Sequence, residues 1–140
     1  SVLTKLEGEL WHLSGKTVAV LGAAFKPGTD DLRESPAVHL ANELVAAGAE
    51  VRVHDPVALE NLAREQPHLP RAETIEEALE GAHAVVIATD WPEYVALTPE
   101  QYRERLAYPI VIDARNVHDP QTMLDAGLIY HAMGRPGVGR

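Results

Sequence analysis

Cysteine is absent from the 140 residues of this chain. The chain therefore contains no disulfide, no thiolate metal ligand and no cysteine nucleophile of its own. Long hydrophobic runs are absent too, since none approaches the roughly 18 apolar residues that cross a bilayer. The first residues also lack the pattern of a secretion signal. These absences predict a cytoplasmic location and no membrane partner.

Basic residues are scarce. Twelve Lys and Arg residues stand against 21 Asp and Glu residues, and the formal net charge is -9 at pH 7. Binding to nucleic acid needs a clustered basic surface, so this balance argues against nucleic acid as a partner. The few cations matter most where they gather in a loop.

The glycine fingerprint of dinucleotide-binding folds is missing from the first predicted strand, TVAVLG at residues 17–22. The residues that follow, AAFKPG, do not have the G-x-G-x-x-G spacing. Ala23, Ala24 and Phe25 carry side chains where that fingerprint needs bare backbone against a pyrophosphate, and Pro27 removes an amide donor. The loop is therefore predicted not to hold NAD in the usual way.

Short apolar strands alternate with helical segments along the chain. The predicted strands are TVAVLG, EVRVH, AVVIA, PIVID and a short final one at residues 128–130. The predicted helices cover residues 2–13, 36–47, 57–64, 74–79, 98–106 and 120–126. This alternation predicts an α/β domain with a doubly wound, mostly parallel, Rossmann-like sheet, helices on both faces and a preceding N-terminal helix. The pattern does not fix the strand order.

Helix starts have recognisable capping residues. Ser35 followed by Pro36 predicts a cap and a first helical position, and Thr74 with Glu77 predicts a capping box. The first helix carries a leucine stripe and stops at Ser14-Gly15. It is either an N-terminal arm or the end of a longer helix, and we favour the second interpretation.

The loop after the first strand, residues 23–34, carries Lys26 and Arg33 among acids. Open α/β sheets bind ligands at the carboxyl ends of their strands, so Lys26 is a candidate for a phosphate or an oxyanion. Phe25 offers a flat surface for a ring. Alternatively, Lys26 is a solvated surface residue and Phe25 packs in the hydrophobic core. Arg33 could instead form an ion pair with a neighbouring acid (Asp30, Asp31 or Glu34).

Polar residues also follow two later strands. Arg115, in the sequence DARN, leaves the fourth strand as Lys26 leaves the first, so both could meet one anion at the same sheet edge. The alternative for Arg115 is a salt bridge to Asp113 or Asp119. Asp55 either binds ribose hydroxyls or only begins a turn. The seven histidines show no recognised ligand spacing, so no metal site is predicted.

The string LGAAFKPGTDDLRESPA at residues 21–37 resembles the opening of the C-terminal, UDP-binding domain of the UDP-glucose/GDP-mannose dehydrogenase family. VHDP, TDW and DARN follow in the matching order, and the resemblance covers about residues 15–133. The family oxidises the C6 hydroxymethyl group of a nucleotide sugar to a carboxylate in two NAD-dependent steps. UDP-glucose or a related UDP-sugar is the favoured substrate, although no residue of the sequence identifies the nucleotide base.

The resemblance also implies roles for individual residues. Phe25, Lys26 and Arg115 would contact the nucleotide-sugar substrate, and Arg33 would reach the NAD cofactor held mainly by an N-terminal domain. Residues 1–14 would end a linker and dimerisation helix. Residues 134–140 contain three glycines and a proline, and this composition, rather than the resemblance, predicts a flexible tail.

The implied partners are the remaining domains of the same enzyme and a second copy in a homodimer. The family's catalytic cysteine is not in this chain, which is therefore expected to be inactive alone. The alternative is a free-standing nucleotide-binding or assembly module without catalysis.

Overall fold

A parallel sheet forms the centre of the protein in the computed structural model, which describes residues 1–24 and 30–133. Its five strands in this part of the chain lie in the order β2-β1-β3-β4-β5, and every neighbouring pair is parallel. They are β1 (Thr17–Leu21), β2 (Glu50–His54), β3 (Ala84–Ile87), β4 (Ile110–Asp113) and β5 (Ile129–Ala132). The predicted doubly wound sheet is confirmed.

Helices cover both faces of this sheet. They are α1 (Val2–Leu10), α2 (Pro36–Ala46), α3 (Leu59–Glu65), α4 (Ile75–Leu79), α5 (Pro92–Val95), α6 (Pro99–Arg105) and α7 (Pro120–Asp125). Among the described residues, no helix has both the length and the apolar character needed to cross a membrane.

Side chains of the three central strands, β1, β3 and β4, alternate between two hydrophobic clusters. Val18 and Val20 of β1 belong to the cluster under α1, α2 and α3, whereas Ala19 and Leu21 belong to the cluster under α4 to α7. All five residues of β1 are buried. Because both faces are covered, the central strands are continuously apolar rather than alternating with polar residues.

The first helix is packed into the core. Leu6 and Leu10 are buried against the sheet, and Glu9 Oε2 lies 2.5 Å from His131 Nε2 on β5. The Ser1 side chain accepts a hydrogen bond from the Thr4 N–H and caps the helix. The predicted end near residue 13 was wrong, because Trp11 adopts a φ of 68° and breaks the helical path after Leu10.

The start of α2 is tied to the end of β1. Ser35 Oγ accepts a hydrogen bond from the Val38 N–H at 3.2 Å and donates one to the Ala23 carbonyl at 2.5 Å. Pro36 occupies the first turn, where no amide donor is needed. The predicted cap is confirmed, and it also fixes the loop that leaves β1.

Several element boundaries differ from the prediction. The helix after β2 begins at Leu59 rather than residue 57, because the Val57 and Ala58 N–H groups donate to the Asp55 carboxylate. The four-residue α5 was not predicted. The final strand runs to Ala132, since its pairing with β4 continues to Asp113.

The predicted capping box at Thr74 is only half present. Thr74 Oγ1 accepts a hydrogen bond from the Glu77 N–H at 3.0 Å. The Glu77 carboxylate, however, accepts from the Glu73 N–H and not from that of Thr74. The complete capping box lies at Thr98 and Gln101, at the start of α6.

Strands β1 and β3 are adjacent, and the chain leaves them toward opposite sides of the sheet. The residues that follow these strands approach each other closely. Gly22 has a φ of 105°, and a Cβ atom placed there would lie 2.2 Å from Thr89 Oγ1. Only glycine meets both the backbone and the space requirement at this position.

We predict that Gly22→Ala lowers the free energy of unfolding by about 2–4 kcal/mol, from backbone strain and the clash with Thr89 together. Gly81→Ala is the matched control, because Gly81 also has positive φ, 71°, but has no atom within 4 Å of its would-be Cβ. That control should lose only about 1–2 kcal/mol. Equal losses in urea titrations of the two variants would contradict the clash.

Two buried histidine–tyrosine pairs lie on the face covered by α4 to α7. His54 Nδ1 is 2.7 Å from the Tyr94 hydroxyl, and His118 Nε2 is 2.7 Å from the Tyr102 hydroxyl. Burial lowers the pKa of both histidines below the ordinary value of 6.5. Burial also raises the pKa of both tyrosines, so their hydroxyls stay protonated.

These histidines make stability depend on pH. As the pH falls below about 6.5, the unfolded chain takes up protons at both sites more readily than the folded chain, so the free energy of unfolding falls with decreasing pH. We predict a shallower slope between pH 7 and 5.5 for His118→Gln, by up to about 1.4 kcal/mol per pH unit. His12→Gln, at an exposed position, is the control. An unchanged slope in His118→Gln would refute this origin.

Candidate functional site

A cavity of about 460 Å³ opens at the carboxyl edge of the sheet, beside the point where β1 and β3 diverge. Its walls come from the starts of α1 and α2 and from residues in or after β1, β3 and β4. The lining residues are Ser1, Val2, Leu3, Ala24, Ser35, Pro36, Ala37, Leu40, Glu43, Val86, Ala88, Ala114 and Arg115. Ligands of open α/β sheets bind at this kind of crevice.

The cavity is mostly apolar and has one charged group toward each end. Arg115 lies at the carboxyl edge, and Glu43 lies about 12 Å further along α2 than Ser35. The Glu43 carboxylate is 3.5 Å from His39 Nε2. Within residues 1–24 and 30–133, no group of three or more acidic or histidine side chains is placed to hold a metal ion.

Arg115 lines the cavity, and its side chain is 38% exposed. Its backbone N–H donates to Asp113 Oδ1 at 3.2 Å, while Nη2 lies 3.9 Å from Asp90 Oδ2. The latter distance is too long for a hydrogen bond. The acid beside the guanidinium is thus Asp90, and not Asp113 or Asp119 as the salt-bridge alternative had it. The guanidinium donates no hydrogen bond to another described residue.

The buried carboxylate of Asp113 shapes the loop that carries Arg115. It accepts hydrogen bonds from the N–H groups of Arg115, Val117 and His118. The Tyr130 hydroxyl donates to it as well, at 2.5 Å. With these bonds the loop turns tightly after β4, which brings the Arg115 side chain to the cavity.

The Asp55 carboxylate likewise accepts backbone hydrogen bonds, in this case from the loops after β1 and β2. Its Oδ2 accepts from the Ala23 and Ala24 N–H groups at 2.9 and 3.2 Å, and its Oδ1 accepts from Val57 and Ala58, both at 2.9 Å. The residue is only 1% exposed. The carboxylate is therefore used inside the fold, which supports the turn interpretation over ribose binding.

We predict that Asp55→Asn lowers the free energy of unfolding by about 2–4 kcal/mol, because an amide NH₂ would face backbone donors that are then left without acceptors. Asp125→Asn, at an exposed residue whose partner Gln121 can donate equally to an amide oxygen, is the control. It should change stability by less than about 0.5 kcal/mol. Thermal or urea unfolding that ranks the two variants equally would contradict the role of Asp55.

The structure describes only some of the site residues that were predicted from the sequence. Phe25 and Lys26 lie outside the described residues, as does the tail at 134–140. Ala24, the last described residue before them, does line the cavity with Arg115. The loops after β1 and β4 thus border the same space, as predicted, while the meeting of Lys26 and Arg115 stays a prediction.

Arg33 is not among the residues that line the cavity. Its side chain is 83% exposed and binds Asp31 through two nitrogens, with Nε 3.0 Å from Oδ1 and Nη2 2.8 Å from Oδ2. This hydrogen bonding to Asp31 raises the pKa of the guanidinium. The local pairing left open by the sequence is present, and a contact with NAD stays a prediction.

Two charged residues of this region, Glu43 in the cavity wall and Asp90 beside Arg115, were not predicted as site residues from the sequence. Asp90 stands shortly after a buried strand, which is the same signal that singled out Arg115, but it was assigned no role from the sequence beyond its place in the TDW string. Glu43 carries no signal, since an acid in the middle of a helix is usually a solvated surface residue. Only the tertiary packing of α1 and α2 turns it toward a cavity.

A family model described as "UDP-glucose/GDP-mannose dehydrogenase family, UDP binding domain" matches residues 19–120. The chain is 37% identical to UDP-glucose 6-dehydrogenase YwqF of Bacillus subtilis over 98% of its own length and 31% of the relative's. It is 47% identical to UDP-glucose 6-dehydrogenase AglM of Haloferax volcanii, over 84% of this chain and 27% of that protein.

Solved structures agree with the sequence matches. A UDP-glucose dehydrogenase from Pyrobaculum islandicum superposes with a TM-score of 0.75 at 36% identity. The match covers 91% of this chain and 27% of that one. The present chain therefore spans about a third or less of the proteins to which it is similar.

Proposed function

Because the chain belongs to the UDP-glucose/GDP-mannose dehydrogenase family and matches its UDP binding domain, we propose that it supplies the substrate-binding part of an NAD-dependent UDP-sugar 6-dehydrogenase. Such an enzyme oxidises the C6 hydroxymethyl group of UDP-glucose, or a related UDP-sugar, to a carboxylate in two steps. The nucleophilic cysteine and most of the NAD site would come from other domains, since this chain has no cysteine.

The observation that supports this proposal most directly is the position of Arg115. Arg115 lines a cavity at the divergence of β1 and β3, together with residues from the first turn of α2. A guanidinium matches the geometry of phosphate oxygens, and the start of a helix favours a nearby anion. The cavity volume of about 460 Å³ is in the range of small-molecule sites. The diphosphate would lie against Arg115.

The apolar walls would hold the uncharged part of the ligand. Leu3, Leu40 and Val86 are among the lining residues, and an apolar wall of this kind suits contact with a nucleoside ring. Phe25 and Lys26 are proposed as further substrate contacts, on sequence grounds. Arg33 is proposed to reach NAD, which would require release of its guanidinium from Asp31.

We propose a homodimer in which this domain meets the catalytic domains of the same enzyme, with NAD bound mainly by those domains. A cytoplasmic location fits the cytosolic supply of nucleotide sugars that the reaction would need. Alone, the chain would bind and orient substrate without turnover.

We predict that this chain binds UDP weakly, and that Arg115→Ala weakens that binding by about ten- to a hundredfold, the value of a charge-assisted contact. Titration followed by amide chemical shifts suits such weak affinities. Lys26→Ala should behave in the same direction. Nanomolar affinity would contradict the idea that part of the binding cleft belongs to other domains.

Arg103→Ala is the matched control for this experiment. Arg103 is exposed on α6, which covers the face of the sheet opposite to α1 and α2. The substitution removes the same charge far from the cavity. A similar loss of affinity in both variants would show a general charge effect, and no loss in Arg115→Ala would refute the proposed phosphate contact.

A further inference from the structure

The acid next to Arg115 has a defined place in the fold. The register pairs Ile87 of β3 with Asp113 of β4, so the residues that follow these two strands emerge side by side. Asp90 and Arg115 are the charged pair formed there, with Oδ2 and Nη2 3.9 Å apart. Their side chains are 45% and 38% exposed, so a ligand at Arg115 also meets the field of Asp90.

We propose that Asp90 sets the charge selectivity of this site, favouring a sugar-esterified nucleoside diphosphate over free nucleoside di- and triphosphates. The inference rests on the proposed function and adds a specificity-determining residue to it. An esterified diphosphate carries two negative charges. A free diphosphate carries about three and a triphosphate about four above the second phosphate pKa near 6.

Asp90 is held by its neighbours in sequence. Thr89 is buried and packed against Gly22, and the Ala88 N–H donates to the Leu21 carbonyl. On the other side, the Trp91 carbonyl accepts hydrogen bonds from the first turn of α5. The residues on both sides of Asp90 are therefore held in place, which keeps this part of the chain beside Arg115.

The distance between the two groups decides what Asp90 does. At 3.9 Å the carboxylate attracts the guanidinium but accepts no hydrogen bond from it, so the guanidinium donors stay available to a phosphate. An exposed ion pair of this kind orients a side chain only weakly. Its effect on affinity through orientation is at most a few-fold and is the same for every ligand.

Repulsion between Asp90 and the ligand behaves differently. It grows with each negative charge that the ligand carries, whereas the orientation of Arg115 does not. With partial screening by water and salt, each added charge near the carboxylate costs about twofold in affinity. A dependence on ligand charge therefore separates the two effects, and it is the property that the proposal predicts.

The test compares UDP-glucose, UDP and UTP as ligands of the full chain at pH 8 and low salt. Wild type is measured beside two neutral variants, Asp90→Asn and Asp90→Ala, and beside the charge-conserving Asp90→Glu. Asp125→Asn is the matched control, because Asp125 is exposed at the end of α7, near the opposite edge of the sheet. Amide chemical shifts report both the affinity and the integrity of each variant.

We expect both neutral variants to gain affinity for all three ligands, and to gain about fourfold more for UTP than for UDP-glucose. This difference should shrink in high salt. Asp90→Glu and Asp125→Asn should keep the wild-type preference. An unchanged ratio of UTP to UDP-glucose affinity, or an equal loss for every ligand, would overturn the inference while leaving the proposed function intact. Absence of binding by wild type would instead refute the proposed function, and this inference with it.

Discussion

Two buried carboxylates hold the carboxyl edge of the sheet in shape. Asp55 joins the loop after β1 to the loop after β2 through four backbone N–H groups. Asp113 folds the loop after β4 by accepting from three more and from the Tyr130 hydroxyl. Buried backbone donors need acceptors, and a carboxylate supplies several at once. The position of Arg115, and with it the cavity, depends on these bonds.

The architecture was readable from the sequence because local and global signals agree. Continuous β-branched strands, the Ser35-Pro36 start of α2 and the glycine after it all favour the same doubly wound sheet. Predicted helix boundaries were wrong where a side-chain hydrogen bond or an unusual backbone conformation interrupts the helix. Asp55 delays α3 in this way, and the positive φ of Trp11 ends α1 early. Strand order depends on packing between distant elements, which local patterns do not encode.

The site was only partly predictable. A position directly after a buried strand is a strong signal for a site residue. It correctly predicted that the loops of Ala24 and Arg115 border the same space. The partner of Arg115 is harder to predict, because several acids lie near it in sequence while the nearest acid in space follows the adjacent strand. Asp90 is such a case, 25 residues before Arg115 and 3.9 Å from its guanidinium. Strand adjacency, which the sequence leaves open, decides this pairing.

The first helix contributes both to the cavity wall and to the hydrophobic core. Val2 and Leu3 form part of the cavity wall, while Leu6 and Leu10 of the same helix complete the core over the sheet. Glu9 fastens that helix to the last strand through His131. Occupancy of the cavity and docking of the helix are consequently linked quantities, so a molecule bound there also stabilises the helix on the sheet. By the same reciprocity, weaker packing of the helix on the sheet would lower the affinity of the cavity for its ligand.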